Sequence, residues 1–167
     1  MRNLSFLISV LVMVPLTSPT IAATVVGSDA GACVAGKSSV EVVVSGFKQA
    51  SGTLKVTLYN GDPARYLVHN GKLRNVIVPI RSTAPLAVCI AVPAPGLYAI
   101  ALHHDVNGNG EKDRADGGGY SRNPRLSIFN LKPGFDKTGF RVGAGPARAD
   151  ITLLYARGLS IGPVKGG

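Results

Sequence analysis

Residues 40–59 read VEVVVSGFKQASGTLKVTLY, and this stretch indicates the class of fold. Apolar residues occupy every second position in both halves, at 40, 42 and 44 and again at 54, 56 and 58. A period of two places alternate side chains on opposite faces of a β-strand. The turn residues Ser51 and Gly52 lie between the halves, so the stretch predicts two strands joined as a hairpin.

The same pattern of short apolar runs separated by Gly, Pro and Asn continues along the chain. It predicts further strands at 73–80, 85–92, 97–103, 138–142 and 150–155. About seven strands without a helical period predict an all-β fold, an antiparallel immunoglobulin-like or prealbumin-like β-sandwich with one long polar loop. The sandwich is expected over 39–157, with a flexible leader at 24–38 and a C-terminal tail at 158–167.

The N-terminus has the pattern of a secretory signal peptide. Arg2 precedes an apolar run from Leu4 to Leu16, and small residues follow at Ala22 and Ala23. The run is shorter than the roughly 20 apolar residues that span a bilayer, so cleavage near Ala22 or Ala23 is favoured over a retained anchor. Residues 1–23 are predicted to be the signal peptide, and the mature protein to be periplasmic or secreted, with no transmembrane segment.

The chain has two cysteines, Cys33 and Cys89. In an oxidising compartment an even pair indicates one disulfide, and two unpaired thiols are the alternative. Closing the loop between them would stabilise the fold by about 4 kcal/mol on the chain-entropy model.

The chain is basic, with 18 Lys and Arg against 9 Asp and Glu and a formal net charge of +9. This balance favours anionic partners in general, such as nucleic acid, lipopolysaccharide, acidic polymers or membrane head groups. The basic residues are scattered from Lys37 to Lys165 without a block. The sequence therefore indicates a solvated basic surface, no specific nucleic-acid partner, and a monomer.

The sharpest chemical signal is the segment from Asp105 to Asp116. Gly110 stands at position 6 of these twelve residues, where a calcium loop needs its sharp turn. Oxygen-bearing side chains fall at positions 1, 3, 5, 7, 9 and 12: Asp105, Asn107, Asn109, Glu111, Asp113 and Asp116. Packing several carboxylates together in a basic chain causes repulsion unless a cation or solvent relieves it. The spacing predicts that this loop binds Ca²⁺.

Departures from the calcium pattern leave a second interpretation open. Position 12 is Asp116 in place of the usual bidentate Glu, position 8 is Lys112, and a strand enters the loop where a helix is usual. The alternative is a solvated turn whose Asn and Asp side chains cap their own backbone. His103 and His104 precede the loop on opposite sides of the strand, so one packed and one exposed histidine is expected, not a local zinc site.

No catalytic residue is predicted, because the chain contains no His-x-x-His or Cys-x-x-Cys motif and no paired carboxylates outside the 105–116 loop. A hydrolase that uses the loop carboxylates is an alternative, and it would need a nucleophile or base beside them. Tyr120, Arg122 and Arg125 follow the loop. Since Tyr and Arg are enriched at binding hot spots, these three are the candidate partner contacts.

The segment PAPGLYAIALHHDVNGN at 93–109 resembles the bacterial DUF2141 proteins in its Pro-Gly-x-Tyr strand entry and its Asp-x-Asn-x-Asn loop. The strand patterns at 54–59 and 150–155 fit the same resemblance, which covers about 40–155. Members are exported and have no assigned activity. The resemblance therefore implies location and fold, a prealbumin-like or carboxypeptidase-regulatory-like sandwich that serves as an accessory or binding module.

The expected function is that of an exported, non-catalytic binding module. A calcium-stabilised loop would present Tyr120, Arg122 and Arg125 to a protein or an anionic partner of the cell envelope. The alternative is an anion-binding module that uses its basic surface to hold polysaccharide, lipopolysaccharide or nucleic acid.

Overall fold

Two β-sheets pack face to face in the computed structural model, which describes residues 24–164. This confirms the predicted all-β sandwich. The predicted signal peptide at 1–23, with its cleavage site, lies outside the described residues. Within 24–164, no helix is both long and apolar enough to cross a membrane.

Ten strands and two short α-helices make up the described chain. The strands are β1 (Ser39–Ser45), β2 (Thr53–Asn60), β3 (Lys72–Pro79), β4 (Leu86–Ala91), β5 (Gly96–Asp105), β6 (Gly117–Tyr120), β7 (Phe140–Val142), β8 (Pro146–Thr152), β9 (Leu154–Arg157) and β10 (Ser160–Gly162). The helices are α1 (Ala30–Val34) and α2 (Phe135–Thr138), and single 3₁₀ turns occur at Pro63–Arg65 and His69–Gly71.

The smaller sheet has the order β4-β1-β8, and β1 is its central strand. β1 pairs antiparallel with β4 and parallel with β8. The larger sheet has the order β10-β9-β6-β5-β2-β3, and β7 pairs with the first residues of β5. All pairs in the larger sheet are antiparallel.

The predicted hairpin between β1 and β2 is wrong, because the two strands lie in different sheets. Their connection buries Phe47 and takes left-handed backbone at Gly46 and Gly52, with φ of 78° and 70°. A Cβ at Gly52 would overlap the carbonyl oxygen of Asp105, so only glycine fits there. The connection therefore carries the chain across the core and does not fold β2 back onto β1.

The core lies between the sheets and contains the alternating rows that the sequence predicts. The apolar residues at 40, 42 and 44 of β1 and at 54, 56 and 58 of β2 are 0% exposed. Ile100 of β5 and Ile151 of β8 join them in one cluster. Full burial of each such side chain contributes about 1.5–3 kcal/mol.

Residues 24–38, expected to form a flexible leader, are attached to both sheets. Cys33 of α1 forms a disulfide with Cys89 of β4, which confirms the predicted pairing. The backbone of Val26 exchanges hydrogen bonds with β4, its N–H donating to Ala87 O (2.9 Å) and its carbonyl accepting from Cys89 N–H (3.1 Å). Near the other end of the described chain, β10 falls within the stretch expected to be a tail and pairs with β9.

A buried carboxylate, Asp29, completes this attachment. It accepts hydrogen bonds from the Arg74 guanidinium of β3 and from the backbone N–H of Ala91 at 2.9 Å. Burial acts to raise the pKa of Asp29, but these hydrogen bonds outweigh it and hold the pKa below its usual value. The carboxylate is therefore charged at neutral pH and joins the N-terminal segment to both sheets.

Candidate functional site

The outer face of the larger sheet, which points away from the core, carries the candidate site. One row of paired residues crosses this face. Lys55 of β2 lies opposite His103 of β5, His103 lies opposite Gly118 of β6, and Gly118 lies opposite Leu154 of β9. The row runs from a charged side chain to an apolar one, so the two ends of the face offer different chemistry.

The charged end is a cavity of about 330 Å³, here called the lysine groove. Four lysines from four parts of the chain line it: Lys55 of β2, Lys72 at the start of β3, Lys112 of the 105–116 loop and Lys132 of the segment before α2. No Asp or Glu is among its described lining residues, and none of the four lysines forms an ion pair within residues 24–164. The groove therefore concentrates positive charge.

The charges of the lysine groove act on one another. Partial burial lowers the pKa of Lys112, and the positive charges of Lys132, Lys72 and Lys55 lower it further. Like charges close together disfavour the charged form of each group. A negative charge placed among them would relieve this repulsion.

Two tyrosines, Tyr59 and Tyr120, line the lysine groove. The Tyr120 hydroxyl donates to the carbonyl of Leu131 at 2.8 Å and so fixes the 121–134 segment over the sheet. Tyr59 belongs to a small buried cluster with Tyr66 and Ala99 on the same face. Burial raises the pKa of Tyr59 and of Tyr120, so both phenols are neutral hydrogen-bonding groups at neutral pH.

The 105–116 loop closes the groove on one side and is shaped by its own side chains. The carboxylate of Asp105 accepts the backbone N–H groups of Gly108 and Gly110, both at 2.8 Å. Asn107 donates its side-chain amide to Asp113 at 2.7 Å, and the Asn109 side chain accepts the N–H of Glu111 at 2.9 Å. Asx turns of this kind are the alternative that the sequence left open.

Asp116 ends the loop and fixes it to the sheet. Its side chain is 5% exposed, and Oδ2 accepts from Nε2 of His103 at 2.8 Å. Oδ1 accepts the N–H of Val106 at 3.0 Å, and Oδ2 also accepts the N–H of Asp113 at 3.2 Å. Burial acts to raise the pKa of Asp116, but these hydrogen bonds and the nearby imidazole outweigh it and lower the pKa.

The predicted calcium ligands all lie along this loop, and the side-chain amides of Asn107 and Asn109 both contact Asp113. Among the described residues, no three His, Cys, Asp or Glu side chains are grouped so that they could hold a metal ion. Both oxygens of Asp105 and both oxygens of Asp116 are already bonded to backbone N–H groups or to His103. Both Asp105 oxygens and Oδ1 of Asp116 each have a further lone pair, and calcium binding stays a prediction.

The two adjacent histidines face opposite sides of β5, as the sequence indicates. His104 is fully buried. Its Nε2 donates to the Ser51 carbonyl at 2.9 Å, and its Nδ1 accepts from the Tyr155 hydroxyl at 2.6 Å. His103 lies on the outer face, where an exposed histidine was expected. Only 12% of its side chain is exposed, however, because it is paired with Asp116. Within residues 24–164, neither imidazole is hydrogen bonded to a Ser, Thr or Cys side chain.

The three predicted partner contacts do not line a common cavity among the described ones. Tyr120 lines the lysine groove. The Arg122 guanidinium donates to the carbonyls of Asp136 and Gly139, at 2.8 and 3.3 Å, and so fixes the α2 region. Arg125 is exposed. A role for these residues in partner contact stays a prediction.

The family model described as an uncharacterized protein conserved in bacteria, DUF2141, matches residues 42–150. The chain belongs to the DUF2141 family. No curated protein and no solved structure matches it. All four groove lysines of this DUF2141 protein lie inside the matched range, whereas β9 and β10 lie beyond it.

Sequence reasoning missed the lysine groove in this DUF2141 protein. Its lysines are spread over residues 55–132, and no two of them are neighbours in the chain. Lys55 alone carried a local signal, because it alternates with buried residues of β2 and must face away from the core. The other three come together only through the path of the loops over the sheet.

Proposed function

We propose that this DUF2141 protein is an exported, non-catalytic binding module that holds an anionic ligand in the lysine groove. The observation that carries the proposal is the approach of Lys55, Lys72, Lys112 and Lys132 from four separate parts of the chain to one cavity lined by no described acidic residue. Such an arrangement destabilises the free protein through like-charge repulsion, and a bound anion would offset that repulsion.

The size and partial enclosure of the groove favour a small ligand over a flat polymer surface. Its volume of about 330 Å³ lies in the range of small-molecule sites, about 300–1,000 Å³. Charges inside a concave site are screened less by salt and water than charges on an open surface. Phosphate, carboxylate or sulfate groups can each accept hydrogen bonds from several ammonium groups at once.

Anion binding has more support than the two other candidates. For a calcium site, no three His, Cys, Asp or Glu side chains are grouped to hold a metal ion within residues 24–164. A hydrolase would need a nucleophile beside the His103–Asp116 pair, and the described chain places no Ser, Thr or Cys hydrogen bond on that imidazole. The four lysines, by contrast, are free of ion pairs within residues 24–164.

The proposal can be tested by titrating the mature protein with inorganic pyrophosphate, measured by calorimetry and by amide chemical shifts. We expect the shifts to concentrate around the groove and the affinity to fall as salt is added. Lys55→Gln with Lys72→Gln should weaken binding about five- to twentyfold, since each exposed ion pair is worth up to about 1 kcal/mol. Neither side chain is buried in the core, so the fold should survive.

The matched control is Lys37→Gln with Lys137→Gln. It removes the same charge from exposed positions that do not line the groove. If both double variants weaken binding equally, pyrophosphate senses only the net charge and the groove is not a site. Absence of saturable binding in the unmodified protein would also refute the proposal.

A further inference from the structure

A second cavity lies beside the lysine groove on the same face of the larger sheet. It has a volume of about 390 Å³ and lies over β6, β9 and β10. It shares Tyr120, His103 and Lys112 with the lysine groove. The two cavities therefore meet along a common wall and form one continuous depression.

The lining of this second cavity is largely aliphatic, and it is here called the apolar trough. Leu154 of β9 and Ile161 of β10 are half-buried in its base, and Leu126 and Leu131 line it from the segment after β6. Gly118 of β6, which carries no side chain, lies in the same row as Leu154 and leaves the middle of the trough open.

The segment that borders the trough exposes further apolar surface. A tight turn, closed by hydrogen bonds between Ser127 and Asn130, lies between Leu126 and Leu131. At this turn Ile128 is 38% exposed and Phe129 is 93% exposed. Exposed apolar groups gathered at the rim of an apolar cavity are typical of binding sites for apolar ligands.

The geometry points to an anionic amphiphile as the ligand: an alkyl or acyl chain in the apolar trough, ending in a phosphate or carboxylate held by the lysine groove. This inference rests on the proposed function and adds the apolar part of the ligand. Charge complementarity favours this orientation, because four lysines and no described acid line the groove, whereas the cations of the trough, Lys112 and Arg114, are accompanied by two acids. The acids of the trough, Asp113 and Asp116, have their carboxylates bonded within the loop or to His103.

The test is a series of alkyl phosphates of increasing length, from butyl through hexyl and octyl to decyl phosphate, each titrated below its micelle concentration. Burial of a methylene group lowers the dissociation constant by about fourfold when it leaves water completely. In the partly open trough we expect about two- to threefold per added methylene. Octyl glucoside, which has the same chain length and no charge, should bind far more weakly than octyl phosphate.

Gly118→Val provides the variant that isolates the trough. A Cβ at this position would meet only the Leu102 carbonyl oxygen, at 3.5 Å, which is an ordinary contact, so the strand should tolerate it. The added side chain would occupy the open middle of the trough and leave the four lysines in place. We expect the variant to bind butyl phosphate as the unmodified protein does and to lose most of the gain with chain length.

The outcomes separate the two proposals. Rising affinity with chain length that Gly118→Val removes supports the amphiphile. Equal affinity for all chain lengths overturns the amphiphile and leaves anion binding standing. Octyl glucoside binding as tightly as octyl phosphate overturns it as well, because the charge would then contribute nothing. If neither pyrophosphate nor any alkyl phosphate binds, both proposals fail.

Discussion

Replacing Asp116 with Asn changes one oxygen acceptor into an NH₂ donor and leaves the shape of the side chain unchanged. In the folded protein both carboxylate oxygens are acceptors, for the N–H groups of Val106 and Asp113 and for Nε2 of His103. With its oxygen in the place of Oδ2 the amide keeps Asp113 and His103 as partners, but its NH₂ group then faces the N–H of Val106. The side chain is 5% exposed, so water cannot readily take the place of the lost acceptor.

The expected loss of stability can be estimated from these contacts. Hydrogen bonds to a charged group contribute about 1.5–3 kcal/mol, and one such bond with part of a second is lost. We expect Asp116→Asn to lower the free energy of unfolding by about 2–3 kcal/mol at neutral pH. For a domain of this size that corresponds to a fall of about 6–12 °C in the melting temperature.

The sign of the pH dependence follows from the lowered pKa of Asp116. The folded carboxyl holds its proton less tightly than the unfolded one, so its contribution to stability is complete above the unfolded pKa of about 3.9. That contribution is lost as the pH falls through the lower, folded pKa. The difference in stability between the unmodified protein and Asp116→Asn should therefore shrink as the solution becomes acidic.

Urea denaturation at a series of pH values measures this difference directly. The matched control is Asp150→Asn, which alters an exposed carboxylate paired with Arg148 on the surface and should leave stability unchanged within error. A variant Asp116→Asn as stable as the unmodified protein at neutral pH would refute the reasoning. So would a deficit that persists unchanged well below pH 3.9.

Two further predictions concern the cross-link and the loop. Replacing both Cys33 and Cys89 with Ala should reduce the free energy of unfolding by about 4 kcal/mol, measured by urea denaturation; an unchanged midpoint would mean that the bond contributes nothing to the fold. If the 105–116 loop binds calcium, millimolar calcium should raise the melting temperature above its value in EDTA, magnesium should not, and Asp105→Ala should abolish the rise. Asp105→Ala should also lower the melting temperature without metal, because Asp105 holds the N–H groups of Gly108 and Gly110, so only the increment due to calcium is diagnostic. No rise in the unmodified protein would leave the loop as a polar turn.

Strand positions were predictable wherever side-chain alternation was strong, but the alternation could not predict which strands pair with one another. The rows in β1 and β2 show that each strand has one buried face, but they do not show which sheet the strand joins. The sequence signal missed β6, which reads GGGY, because it has no β-branched residue. Two of its three glycines are required by close approach: a Cβ at Gly117 would overlap the Tyr155 ring, and one at Gly119 would come within 2.9 Å of Ile151.

The candidate site was predictable only in part. The composition and spacing of the 105–116 loop single out a segment that borders the lysine groove through Gly110 and Lys112. The spacing could not show which oxygens the loop would use for its own backbone. Lys72 and Lys132 reach the lysine groove because two irregular segments cross the sheet there, and no local sequence pattern predicts the course of such segments.

The parallel pairing of β1 with β8 sets an order in which the fold can be completed. Ser45 and Thr152 are neighbours across this pair although they are 107 positions apart. A chain emerges N-terminus first, so β1, β4 and the Cys33–Cys89 bond, whose ends are 56 positions apart, can assemble before β8 has been made. Until then the central strand of the smaller sheet has one open edge, and open edges are where chains aggregate. A product truncated before Pro146 would keep that edge permanently.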